Sequence, residues 1–192
     1  MSRLILASTS VYRQQLLSKL CIPFEAKAPV CDETPLTGES AEQLVLRLAL
    51  AKAQSIAAEQ PNDCIIGSDQ VASFNGQDII GKPGSHQAAR EQLLAASGHE
   101  LCFYTGTAVV QGLEQQVWLS TYRVYFRHLS EQQIERYLEI EKPYNCAGSF
   151  KSEGLGVMLF DKQQGDDPNS LIGLPLIKLY QVLEGRGFQA SL

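Results

Sequence analysis

The sequence contains no apolar run approaching the roughly 18 residues that a membrane-spanning helix requires. Met1 to Ala7 passes straight into Ser8-Thr9-Ser10 with no signal-peptide core, so a cytoplasmic protein without a membrane partner is expected. Paired cysteines are also missing. Cys21, Cys31, Cys64, Cys102 and Cys146 are odd in number and include no C-x-x-C spacing, which argues against a disulfide framework and against a zinc site. His86, His99 and His128 show no metal-ligand spacing. Basic clusters are absent as well: 16 Lys and Arg are scattered among 21 Asp and Glu, for a net charge of −5. That balance argues against a nucleic acid polymer as partner. No internal repeat, low-complexity tract or linker interrupts the chain.

What remains is an ordinary globular composition. At 192 residues and 44% hydrophobic, the chain can bury about 70% of its unfolded surface, enough for a single domain over 1–192 without staples. Arg3 to Ala7 reads as a buried strand, and Ser8-Thr9-Ser10 as the cap of a helix carrying Tyr12, Leu16, Leu17 and Leu20 on one face. A second strand is expected over Phe24–Ala28. Ser40-x-x-Gln43 and Ser130-x-x-Gln133 are capping boxes that open two further helices, the first running to about Glu59 and the second ending before Pro143. Cys64–Gly67 reads as a buried strand, and Val71–Phe74, Asn75-Gly76 and Gln77–Ile80 as a hairpin. Ser85 caps a helix that stops at Gly98. Leu101–Val110 and Gln116–Phe126 form an antiparallel ribbon around Gln111-Gly112-Leu113. A strand at Gly154–Phe160 and a helix from Pro175 to Glu184 finish the chain. Helices interleaved with a ribbon imply α/β with a mixed twisted sheet and flanking helices.

Three short stretches are more polar than their apolar flanks explain. Ser8-Thr9-Ser10-Val11-Tyr12-Arg13 sets two hydroxyls, free backbone N–H groups and a guanidinium at a helix N-terminus, an arrangement suited to phosphate or, more simply, to helix capping. Asp69 follows the Cys64–Gly67 strand directly, at the carboxyl end where open α/β sheets place ligands. Lys82 stands on the rigid Gly81-Lys82-Pro83-Gly84 loop. With Glu33 between two prolines and Lys52 on a helix, these residues suffice for a metal-assisted phosphate site, although spacing alone does not show that they converge.

Leu4-Ile5-Leu6-Ala7-Ser8-Thr9-Ser10 with Arg13, Asp32-Glu33-Thr34-Pro35, Ala51-Lys52-Ala53, Ile65-Ile66-Gly67-Ser68-Asp69 and Gly81-Lys82-Pro83 together resemble, in order, the motifs of the Maf-like nucleotide pyrophosphatases. The resemblance runs from residue 3 to about 183. It implies two lobes around a central cleft, as in Maf and ITPase proteins, and hydrolysis of a nucleoside triphosphate to monophosphate and diphosphate. It also implies a divalent cation (Mg²⁺ or Mn²⁺) and a homodimer. Ser68-Asp69-Gln70-Val71, Phe126-Arg127-His128-Leu129-Ser130 and Cys146–Gly154 are similar to the bacterial subgroup that acts on 7-methyl-GTP. By position, the resemblance makes Asp69 the general base or metal-proximal acid. Ser8, Ser10, Arg13, Lys52 and Lys82 become phosphate contacts, Glu33 a second metal carboxylate, and Tyr12, Gln70 and Glu153 the residues facing the base.

Two departures stand out. Val11 occupies the place of the family's usual proline, and Gln14 that of a usual arginine, which leaves Arg13 the sole guanidinium of the motif. The alternatives are a dTTP or UTP pyrophosphatase, against which Gln70 and Glu153 argue, and a nucleotide-binding regulator of septum formation.

Overall fold

The computed structural model describes residues 2–190. Its strands are β1 (Leu4–Ala7), β2 (Glu25–Lys27), β3 (Cys64–Ser73), β4 (Glu100–Gln111), β5 (Glu114–Phe126) and β6 (Phe160–Gly165). Its helices are α1 (Val11–Ser18), α2 (Ala41–Ala57), α3 (His86–Ala96), α4 (Glu131–Glu141), α5 (Asn169–Ile172) and α6 (Leu176–Glu184). All six strands join one sheet in the order β2-β1-β3-β4-β5-β6. β1 is parallel to β2 and β3, and the remaining pairs are antiparallel. The expected mixed α/β architecture is therefore present. Among the described residues no helix is long and apolar enough to cross a membrane.

Alternation along the strands decides which helix covers which face. Leu4, Leu6, Cys64, Ile66 and Val109 point to one side and pack with Leu16 and Leu17 of α1 and Leu179 and Leu183 of α6. Ile5, Ala7, Ile65, Ala108 and Val110 point to the other, against Ala49, Ala53 and Ile56 of α2. Farther along the sheet, Phe103, Tyr122, Val124 and Phe126 form a separate core with α3 and α4. Its centre is a group of edge-to-face aromatic contacts joining Phe103, Phe126, Phe150 and Phe160. The two capping boxes form as expected, Ser40 with Gln43 and Ser130 with Gln133.

Four local expectations are corrected. β3 does not stop at Gly67 but continues through Asp69 to Ser73, paired with β4 throughout. Asp69 is thus inside a strand rather than at its end. The return arm of the expected hairpin makes a single bridge, Ala72 to Ile80. Asn75 Oδ1 accepts from the Gln77 and Asp78 N–H groups, and Ser73 Oγ accepts from Gly76 N–H, so side chains close this turn where ladder bonds would otherwise do so. Leu155–Leu159 is a 3₁₀ turn, and the strand begins only at Phe160. α5 is a single turn that the sequence pattern does not predict.

α2 lies unusually close to the sheet because two glycines face it. A Cβ on Gly67 would collide with Ala49 O and Ala53 N, and one on Gly106 with Val45 O. Gly106→Ala is therefore expected to destabilise by about 1–3 kcal/mol through overpacking against helix backbone. At this chain length that corresponds to a fall in Tm of roughly 2–12 °C, read by thermal unfolding. An unchanged Tm would show that α2 can lift off without cost.

Candidate active site

β1 ends at Ala7, level with Gly67, whereas β3 runs on for six residues without its parallel neighbour. A cleft of about 710 Å³ opens along that stretch, well within the range of small-molecule sites. Every residue singled out in the sequence lines it: Ser8, Ser10, Tyr12, Arg13, Glu33, Lys52, Asp69, Gln70, Lys82 and Glu153. They come from the β1–α1 turn, the first turn of α1, the loop after β2, α2, β3, the loop before α3 and the segment after α4.

At the floor, Lys52 Nζ lies 2.6 Å from Asp69 Oδ1 and 2.9 Å from Glu33 Oε1. Lys52 and Asp69 are buried, while the Glu33 carboxylate remains largely open to the cleft. This bridge follows from register. Asp69 shares the face of Gly67, the face that α2 covers, so the Lys52 stem reaches it along the apolar helix surface. Among the described residues Asp69 has no hydrogen-bond donor other than Lys52, which leaves Oδ2 available.

Above this pair sits the N-terminus of α1. Ser10 Oγ accepts from Arg13 N–H and Ser8 Oγ from Ser10 N–H, so both hydroxyl oxygens serve as caps and their O–H protons remain to be donated. Capping and anion binding are compatible here. Arg13 Nε donates to Gly173 O at 2.9 Å, and the Ser68 hydroxyl donates to the same carbonyl. Burial pulls the Arg13 guanidinium below its ordinary pKa, and the nearby Asp69 and Glu33 carboxylates offset part of that effect. The floor therefore holds two cations against two carboxylates. Lys82 adds a further positive charge at the rim, where it is exposed and makes no ion pair among the described residues.

The base-facing candidates separate. Gln70 neighbours Asp69 in β3 and so points to the opposite face, toward α5. Its Nε2 donates to Ser170 O at 2.6 Å, Leu171 O at 3.2 Å and Thr105 Oγ1 at 3.0 Å. That amide nitrogen is committed to holding α5. Tyr12 and Glu153 lie near Cys146. Burial raises the Tyr12 hydroxyl above its ordinary pKa, and Cys146, Glu153 and Glu141 add to the rise. Burial likewise pushes the Cys146 thiol up. The Glu153 segment is pinned from α4: Leu155 N–H donates to Glu141 Oε1, Lys151 N–H to Tyr137 Oη, and Lys151 Nζ to Glu141 O. Cys146 also lines the cleft; the cysteine pattern gives it no role of its own, although it opens the Cys146–Gly154 stretch on which the resemblance draws. Phe103 and Leu171, which also line the cleft, carried only a core signature.

Removing one partner of a buried ion pair leaves the other without compensation. Lys52→Met, which strands Asp69, is expected to lower stability by about 3–5 kcal/mol. Asp69→Asn should cost less than half as much, because Lys52 retains Glu33. Denaturant unfolding of the two variants gives the comparison, and equal stabilities would show that the pair is not electrostatically coupled.

Comparison with known proteins accords with this arrangement. The family model described as Maf-like protein matches residues 3–186. A 7-methyl-GTP pyrophosphatase of Vibrio vulnificus is 54% identical over 97% of this chain and 96% of its own length. Its namesake from Vibrio cholerae is 55% identical over 96% of each chain. That from Nitrosococcus oceani is 54% identical over 96% of this chain and 94% of its own. Among solved structures, the Ham1 protein of Staphylococcus aureus aligns with a TM-score of 0.55 at 16% identity, covering 96% of this chain and all of that one, a likeness of fold alone. A family match over nearly the whole length and relatives above 50% identity lead to one conclusion: the chain belongs to the Maf family.

Proposed function

We propose that this protein is a nucleoside triphosphate pyrophosphatase that hydrolyses 7-methyl-GTP with one water to 7-methyl-GMP and diphosphate, removing a modified nucleotide from the cytoplasmic pool. The observation that carries this reading is the sharing of one cleft by a charge-dense floor and an aromatic-plus-acid wall. Arg13, Lys52 and Lys82 suit a chain of phosphates, whereas Tyr12 and Glu153 suit a base that is itself a cation. Methylation at N7 delocalises a positive charge over guanine. An aromatic face then gains a cation–π contribution, and a carboxylate can accept from N1–H and the amino group while opposing that charge. Relatives named for this substrate at 53–55% identity support the same choice.

Asp69 serves as general base in this reading. Its Oδ1 is fixed by Lys52, and Asp69 lines the cleft, so the second carboxylate oxygen is left to take the proton of the attacking water. Lys52 keeps the carboxylate aligned, and Ser8 and Ser10 donate O–H bonds to phosphate oxygens. Among the described residues no cluster of three or more His, Cys, Asp or Glu side chains could hold a metal unaided. Two carboxylate ligands nevertheless fit Mg²⁺ or Mn²⁺ in a phosphate site, since such ions complete their shell with phosphate oxygens and water. Glu33 and Asp69 would hold the ion, which would supply charge neutralisation at the phosphoryl group.

Purified protein incubated with a nucleotide panel, with and without Mg²⁺ or Mn²⁺, is expected to release diphosphate from 7-methyl-GTP in preference to GTP, dTTP and UTP. Asp69→Asn should lower kcat by ~10² to 10⁴. More than about a tenth of wild-type turnover in that variant would remove Asp69 from the base role. Glu153→Gln should reduce the 7-methyl-GTP to GTP ratio of kcat/KM by about tenfold, because Gln keeps hydrogen bonding but loses the charge. An unchanged ratio would sink the assignment of Glu153 to base recognition.

A further inference from the structure

We infer that Arg47 is a positioning residue for the hydrolysis, acting through Glu33; the inference rests on the reading of the cleft as a phosphate-hydrolysing site. Glu33 stands on the irregular stretch between β2 and α2, a segment without helix or strand bonds of its own. Its carboxylate is 60% exposed, yet it must stay 2.9 Å from Lys52 Nζ. An unrestrained loop would not hold it there.

The restraint comes from three residues of α2. Ser55 Oγ accepts from Val30 N–H at 3.3 Å, Lys52 takes the Glu33 carboxylate, and Arg47 Nη2 donates to Thr34 O at 3.1 Å. Spaced five and three residues apart, they lie within roughly 140° of the helix circumference and follow the loop end to end. Arg47 does most of the holding. Besides Thr34 O, the carbonyl next to Glu33 in the chain, its guanidinium grips Glu39 with both branches, Nε to Oε1 at 2.6 Å and Nη2 to Oε2 at 2.7 Å. The Glu39 side chain is only 6% exposed, and its Oε2 also accepts from Leu36 N–H at 3.0 Å. A part-buried, forked ion pair thus fixes the loop on the C-terminal side of Glu33. Lysine has the charge but not the fork. Neither Arg47 nor Glu39 lines the cleft, so any effect on turnover must pass through the loop.

A double-mutant cycle of Glu33→Ala and Arg47→Lys tests this, run on the nucleotide that the panel selects. The wild-type rate in the same assay reports separately on the substrate assignment. Each single variant is expected to lose about tenfold in kcat and to raise the half-saturating Mn²⁺ concentration by a similar factor. The double variant should fall no more than about twofold below Glu33→Ala, since Arg47 has nothing left to position. Glu39→Gln, which opens the clamp from the loop side, should reproduce Arg47→Lys. Thermal unfolding of each variant separates loss of fold from loss of positioning. Losses that multiply to roughly a hundredfold, a wild-type rate in Arg47→Lys and Glu39→Gln, or a wild-type rate in Glu33→Ala would each overturn the inference.

Discussion

One buried ammonium organises the cleft. Lys52 Nζ sits between Asp69 and Glu33, and an amino group is tolerated at that depth only because both partners are within hydrogen-bond distance. Its position is set by how closely α2 approaches the sheet, and that approach depends on Gly67 and Gly106 presenting no side chain to the helix backbone. A methyl group at either place would push away the element that carries both Lys52 and the anchors of the Glu33 loop. The packing of backbone on backbone and the electrostatics of the site are therefore a single constraint.

Much of this was legible in the sequence, and for reasons that can be named. Capping boxes are local chemistry and appear where Ser40 and Ser130 announce them. The polar excess around Ser8–Arg13 and Asp69 was visible because it breaks apolar patterns. Asn75-Gly76 misled because asparagine can close a turn with its side chain as well as with its backbone, and dipeptide identity does not distinguish the two. Glycine and serine break an apolar run, so the sequence pattern divides β3 at Gly67; the structure uses that glycine for helix contact instead. The apolar pattern points to Leu155–Leu159 as the strand because Phe160–Gly165, the strand that forms, is mostly polar. Arg47 gave no signal at all, since a cation on a helix reads as a solvated surface group until its loop partner is known.

Adjacent residues on one strand have been given different work. Asp69 turns to α2, while Ser68 and Gln70 turn to the segment around α5 and Gly173. Where β1 stops, both faces of β3 reach the same cleft from opposite sides. The period of two that would normally separate an acid from its neighbours here lets one strand supply the carboxylate of the cleft floor and the struts that hold the opposite wall.

The Gly173 carbonyl, shared by Arg13 and Ser68, spans 160 residues of chain to the first and 105 to the second. Contacts of such separation are the last to be made, because the intervening chain must be ordered before they become favourable. During synthesis, β1, α1 and α2 leave the ribosome well before the segment that fixes the arginine. A nascent chain thus carries Asp69, Lys52, Ser8 and Ser10 for most of its translation before the segment that fixes Arg13 and closes the cleft around them has been made.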